Sequence, residues 1–230
     1  MKKIKHNFGE NVIIYEGAKI HKTAEIGEFS IIYPNVEIGE NVKIKSSVII
    51  GKKPYIGKNQ VGLNELKDKT IIGSDVFVGD QVIIYFGCAI SDGVYLADKS
   101  LIRENVVLDK NVVIGTSCVV SFNAHVGENT KVMTGTNLCG NIKIGKNSFI
   151  GVHVCTVTDN NPQLLADRGN QQGPIIEDNV FIGSNTTILP GVKINYNITV
   201  ASGSIVSRDL ERPNSFYLGS PAKFLKNKQL

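Results

Sequence analysis

Glu104 and His125 are the residues of this sequence whose type and company best suit acid–base chemistry. Glu104 has a phenylalanine eighteen residues to either side, Phe86 and Phe122. Its neighbour Arg103 has Tyr85 and Ser121 at the same interval, and His125 has Val107 and Lys143. If eighteen residues make one turn of a stacked structure, each set becomes a vertical column. A carboxylate between two phenylalanines is desolvated, which raises its pKa and improves it as a base near neutral pH. Arg103 on a tyrosine could hold a phosphate or pair with an acid, with Tyr85 and Phe122 lining the substrate. His125 is one of four histidines, and His6 and His21 belong to the N-terminal run. On an apolar, subunit-facing surface it is the rival base.

The eighteen-residue turn follows from the repeat. Ile14, Ile20, Ile26, Ile32, Ile38, Ile44, Ile50 and Ile56 recur every six residues. A second run goes from Ile72 through Ile84, Ile102 and Val120 to Ile150, and a third from Ile176 to Val206. A period of six fits neither a helix nor an alternating strand, and a fixed short repeat signals a solenoid. Each hexad supplies one short strand and one turn, so three hexads close a triangular coil. Successive coils stack as parallel strands about 4.8 Å apart. A small or β-branched residue four after the aliphatic, such as Ala24, Ser30, Cys88, Cys118 or Thr186, fits inside near a corner. Gly often follows the aliphatic directly (Gly27, Gly39, Gly115, Gly127), and Asn often falls three after it (Asn35, Asn105, Asn123, Asn129). Both residue types enter the left-handed backbone region at low cost. Both are therefore expected to mark tight corners with positive φ.

The unbroken repeat reads as one all-β domain over residues 1–230, with two inserted loops at about 57–71 and 152–175 and a C-terminal tail at 209–230. Insertions in a solenoid tend to lie on a binding face. The longer one carries Asp159 and Asn160, candidates to bind substrate. Residues just before the core aliphatics point outward and include Ile71, Phe77, Ile83, Tyr95, Leu101 and Val119. So much apolar surface, expected on all three faces, predicts a cyclic homo-oligomer.

Composition excludes several classes. A net charge of +4 is too modest for a nucleic-acid partner. Four cysteines in irregular places make no disulfide or zinc pattern. The N-terminus has no apolar signal stretch and no run approaches transmembrane length. A cytoplasmic protein with no membrane partner is expected.

The chain resembles the hexapeptide-repeat acyltransferases, whose fold is a left-handed parallel β-helix. The handedness is implied by the resemblance, because parallel crossovers are ordinarily right-handed. The segment 97–105, Ala-Asp-Lys-Ser-Leu-Ile-Arg-Glu-Asn, is similar to one found in nucleotide-linked amino-sugar N-acyltransferases, such as those acting on dTDP-4-amino-4,6-dideoxyglucose. There acids at such positions approach the amino sugar, and Asp98 and Glu104 are the matching acids. Ile188–Val192, Ala201–Val206 and Gly219–Lys223 resemble the C-terminal coils and tail that hold coenzyme A. That resemblance implies contacts from Ala201, Ser202, Arg208, Pro221 and Lys223, the two basic residues meeting phosphates. It implies a homotrimer with active sites between subunits, acyl-CoA as cosubstrate and no metal. The zinc enzymes of this fold, the γ-type carbonic anhydrases, need three converging histidines. His125 and His153 are twenty-eight residues apart, not a coil multiple.

The expected activity is transfer of an acetyl or short hydroxyacyl group to the amine of a nucleotide-linked amino-dideoxy sugar. Glu104 or His125 would take the proton and Asp98 would orient the amine. An O-acetyltransferase of a simple sugar or small alcohol is the alternative. A non-catalytic structural or ice-binding solenoid would show a flat ladder of identical outward residues, and this chain does not.

Overall fold

The structure is a computed structural model and describes residues 8–55, 65–159 and 171–228. It is a left-handed parallel β-helix with no helix among the described residues, hence none that is long and apolar enough to cross a membrane. Strands of mostly two residues stack into three sheets of ten, nine and eleven strands. Face 1 runs from Ile13–Ile14 to Ile205–Val206, face 2 from Lys19–Ile20 to Lys193–Ile194, and face 3 from Glu25–Ile26 to Lys223–Asn227. The register is one coil per eighteen residues, as in Ile13 beside Ile31 and Leu101 beside Val119. The first corner joins face 1 to face 2, the second joins face 2 to face 3, and the third returns to face 1.

The hexad makes this fold because its two inward positions fill the prism. Ile14, Ile32, Ile50, Ile84, Ile102, Val120 and Leu138 are completely buried in one column. The small positions close the corners from inside. The Thr130 hydroxyl donates to Gly145 O at 2.8 Å, and the Cys88 thiol donates to Arg103 O at 2.9 Å.

The corners divide the work between Asn and Gly differently from the sequence expectation. Positive φ belongs to the position three after the aliphatic, for example Asn105 and Asn123 at 58° and 54°. Among the described residues, glycine directly after the aliphatic, apart from Gly51, is not left-handed; it is there for closeness. A Cβ on Gly127 would lie 2.6 Å from the backbone of Gly145 in the next coil.

Element bounds also move. Strand β8 (Thr70–Ile72) begins inside the first expected loop. Strand β22 (Cys155–Thr156) continues the repeat beyond residue 152, with buried Thr156 where the aliphatic would stand. The second insertion therefore starts one hexad later than expected, because a threonine hid the last rung. The tail is structured too. Leu210 bridges to Ile194 and is buried, strand β29 (Ser215–Leu218) pairs with Thr199–Val200, and strand β30 (Lys223–Asn227) turns back antiparallel against it.

All three faces carry outward apolar residues, as expected, but they do so unequally. Face 1 carries an outward column of Ile13, Ile31, Ile49, Ile83, Leu101 and Val119. Face 2 is apolar from Ile71 through Ala89 to Val107, gives way to His125 and Lys143, and returns to an apolar residue at Ile175. Face 3 carries aromatic pairs, Phe77 on Tyr95 and Phe149 on Phe181, each with centroids 4.8 Å apart.

Candidate active site

The first corner gathers most of the residues singled out in the sequence. Backbone bonds from Asn105 N–H to Phe86 O, Asn123 N–H to Glu104 O and Asn141 N–H to Phe122 O stack Phe86, Glu104 and Phe122 in successive coils. Glu104 is only 4% exposed. It is not a lone desolvated carboxylate. Arg103 donates from Nε to Glu104 Oε2 at 2.8 Å and from Nη2 to Oε1 at 3.0 Å. The guanidinium lies over the Tyr85 ring, 5.2 Å from its centroid. Both Glu104 oxygens thus accept from Arg103, and the pair fixes a planar cation on an aromatic face. The Phe122 ring has a second neighbour. It lies over Gly140 of the next coil, where a Cβ would come within 2.4 Å of the ring.

A ladder of side-chain amides runs up the same corner. Asn105 Nδ2 donates to Asn123 Oδ1 at 3.2 Å, and Asn123 Nδ2 to Asn141 Oδ1 at 3.0 Å. Its ends hold both insertions. Asn105 donates to Glu65 O and accepts from Lys67 N–H, while Asn141 donates to Gln171 O. The two interruptions of the repeat, more than eighty residues apart in sequence, are thereby tied to one edge. Beneath it, burial pushes the Cys88 thiol up to about 12. Asp159 stands at the end of the described part of the second insertion, and Asn160 lies outside the described residues.

His125 stands on face 2 between Val107 and Lys143. Its Nε2–H donates to Asp109 Oδ2 at 2.9 Å. An ionised carboxylate can only accept, so this bond leaves Nδ1 as the free acceptor. The imidazole is about half exposed, at 47%. Asp109 was missed in the sequence. Its signal was an acid directly after a core aliphatic, a position that elsewhere often holds glycine.

Asp98 lies elsewhere. It is exposed at the third corner, and its Oδ1 accepts from Asp80 N–H at 2.9 Å. Asp80, Asp92 and Asp178 accept backbone N–H bonds in the same way from Ser46, Ser74 and Lys146. Asp98 thus makes a recurring corner bond, and within one chain it meets neither Glu104 nor His125. The coenzyme candidates separate likewise. Ala201 and Ser202 form the third corner with the 219–222 turn folded onto it, through Gly219 N–H to Ser204 Oγ and Ala222 N–H to Ile205 O. Pro221 lies within that turn and Lys223 follows it. Arg208, which is exposed, follows the last strand of face 1 into the first corner. Among the described residues no three His, Cys, Asp or Glu side chains gather as a metal site.

Comparison with known proteins agrees with this architecture. Residues 17–52 match the model of the bacterial transferase hexapeptide (six repeats), and residues 174–208 that of the hexapeptide repeat of succinyl-transferase. The chain is 33% identical over 204 residues to the bifunctional protein GlmU of Streptococcus agalactiae, covering 86% of this chain and 39% of that protein. It is 30% identical over 209 residues to GlmU of Clostridioides difficile, covering 88% and 35%. The chain therefore spans well under half the length of these curated relatives. The solved Francisella novicida UDP-N-acetylglucosamine acyltransferase superposes with a TM-score of 0.58 at 17% identity, over 93% of this chain and 69% of that one. At that identity the likeness concerns the fold.

Proposed function

The chain belongs to the hexapeptide-repeat family, and on that premise we propose that it transfers an acyl group from an acyl-CoA to the amine of a nucleotide-linked amino sugar. The observation that carries this reading is the His125–Asp109 pair, a carboxylate-oriented imidazole with Nδ1 free on an open face. The neutral amine attacks the thioester carbonyl and forms the new C–N bond, and Nδ1 accepts its proton. Collapse of the tetrahedral intermediate breaks the C–S bond, and the imidazolium returns the proton to the leaving thiolate. Glu104 serves in this scheme as the anchor of Arg103 rather than as the base, since both its oxygens are already engaged. The third-corner residues Ala201, Ser202, Pro221 and Lys223 would take the coenzyme, with Lys223 supplying a cation to its phosphates. The outward column on face 1 would be buried between the subunits of a homotrimer.

His125→Asn is expected to lower kcat by about 10²–10⁴ with the fold intact. The assay is thiol release from acetyl-CoA and hydroxybutyryl-CoA across nucleotide-linked amino sugars and matched hydroxyl acceptors. Wild-type kcat in the variant would remove His125 as the base. Turnover with hydroxyl acceptors alone would replace the amine by an alcohol.

A further inference from the structure

A cavity of about 400 Å³ opens at the N-terminal end of the first corner, lined by residues that include Tyr33, Asn35, Gly51, Lys52, Lys53 and Phe86. It exists because the hexad rule is broken there. Strand β7 (Ile49–Lys52) has four residues against two and three in its neighbours in face 1, and the register slips so that Tyr85 of the next coil pairs with Lys52. The extra residue is absorbed at Gly51, with φ of +83°, where a Cβ would sit 2.4 Å from Val36 Cγ2. A bulge of this kind re-aims the residues that follow it. Here it carries two consecutive lysines to the cavity. Lys52 Nζ lies 5.9 Å from the Tyr85 centroid and Lys53 Nζ lies 5.1 Å from that of Phe86.

Neither lysine pairs with a carboxylate among the described residues. Arg103, further along this corner, is taken by Glu104. The cavity thus combines two unneutralised ammonium groups, steered by ring faces, with the rings of Tyr33 and Phe86. We infer that it binds a nucleoside 5′-diphosphate, the phosphates on Lys52 and Lys53 and the planar base against the aromatic rings. Phosphate calls for adjacent cations and a base for an aromatic face, and the volume falls within the range of small-molecule sites.

The assignment deepens, and rests on, the reading of the acceptor as nucleotide-linked. Lys52 and Glu104 are two coils apart, about 10 Å at the usual strand spacing. A sugar carried on the outer phosphate would therefore extend along the corner past Tyr85 towards Arg103 and Glu104. Coenzyme A also contains a nucleoside diphosphate, so the test must separate the two sources.

The test is calorimetric titration of the full chain with dTDP, UDP, 3′-phospho-ADP and coenzyme A, in wild type, K52Q/K53Q and K52R/K53R. Circular dichroism melting checks that each variant folds. The expected result is binding of dTDP or UDP that weakens tenfold or more in K52Q/K53Q, survives in K52R/K53R, and leaves coenzyme A affinity unchanged. If the loss falls on coenzyme A and 3′-phospho-ADP instead, the nucleoside-diphosphate site stands and belongs to the acyl donor. Unchanged affinity of K52Q/K53Q for every ligand overturns the inference, as does a wild type that binds none at millimolar concentration. Turnover separates this inference from the proposed function. Amino-sugar acylation with an unaltered acceptor KM in K52Q/K53Q overturns the cavity assignment alone. Lysine-dependent dTDP binding in a chain that acylates only simple alcohols overturns the acceptor reading alone.

Discussion

The first and second corners are built from the same left-handed hexad turn, yet they carry opposite contents. Each has a ladder of three asparagine amides: Asn105, Asn123 and Asn141 at the first, Asn111, Asn129 and Asn147 at the second, with rungs of 3.0–3.2 Å. At the second corner the ladder is exposed and its company is surface ion pairs, Lys110 with Asp92 at 3.5 Å and Lys146 with Asp178 at 4.0 Å. Pairs of that kind contribute about 0–1 kcal/mol. At the first corner the ladder ends on both inserted segments, and beside it a buried carboxylate holds a guanidinium on a tyrosine. The ladder is therefore scaffold in both places. What distinguishes the first corner is that the repeat is interrupted there, and both inserted segments are tied to its ladder.

The largest contrast is expected from removing charge. Glu104→Gln strips Arg103 of its charge-assisted partner and should cost about 2 kcal/mol of stability, seen as a lower urea midpoint. Asp92→Asn at the second corner should stay within about 1 kcal/mol. Equal losses would erase the distinction between the corners. A smaller and more even effect is expected for the ladders. Asn123→Ala and Asn129→Ala each put alanine in the left-handed region, a penalty of roughly 1–2 kcal/mol. Asparagine-to-glycine changes at the same sites should recover most of it. Acceptor KM should rise only for Asn123→Ala, and a matching rise for Asn129→Ala would spread the site to the second corner. The remaining effect is absent at neutral pH and appears only in alkali. The Cys88 thiol, raised from the ordinary value of 9.0 to about 12 by burial under the first corner, stays protonated in the folded chain while the unfolded chain ionises. Its contribution is complete below pH 9 and is lost as pH rises towards 12. Cys88→Ser should flatten this alkaline decline in the urea midpoint.

Much of the architecture was legible because its signal is local and repeated. One buried aliphatic in six, with a small residue four later, is a statement about volume, and each coil makes it again. The eighteen-residue column through Phe86, Glu104 and Phe122 followed from that arithmetic, as did the placing of His125 between Val107 and Lys143. The base environment did not follow. Arithmetic sets backbones above one another but leaves open where a side chain turns, so Phe122 went to Gly140, Glu104 went to Arg103, and Asp109 reached His125 unannounced. The glycines after the aliphatics misled for a related reason. Close stacking of coils, a property of neighbours, selects the same residue as a left-handed φ.

The sequence by itself determined the coil: its period, its inward residues and the asparagine corners, because these depend on contacts recurring every six or eighteen residues. Only the tertiary structure decided that the amide ladder ties both insertions to one edge and that a one-residue bulge at Gly51 turns two lysines onto aromatic rings. Those outcomes depend on phase at interruptions of the repeat. There the period no longer constrains the chain, and packing against adjacent coils settles the direction of each side chain.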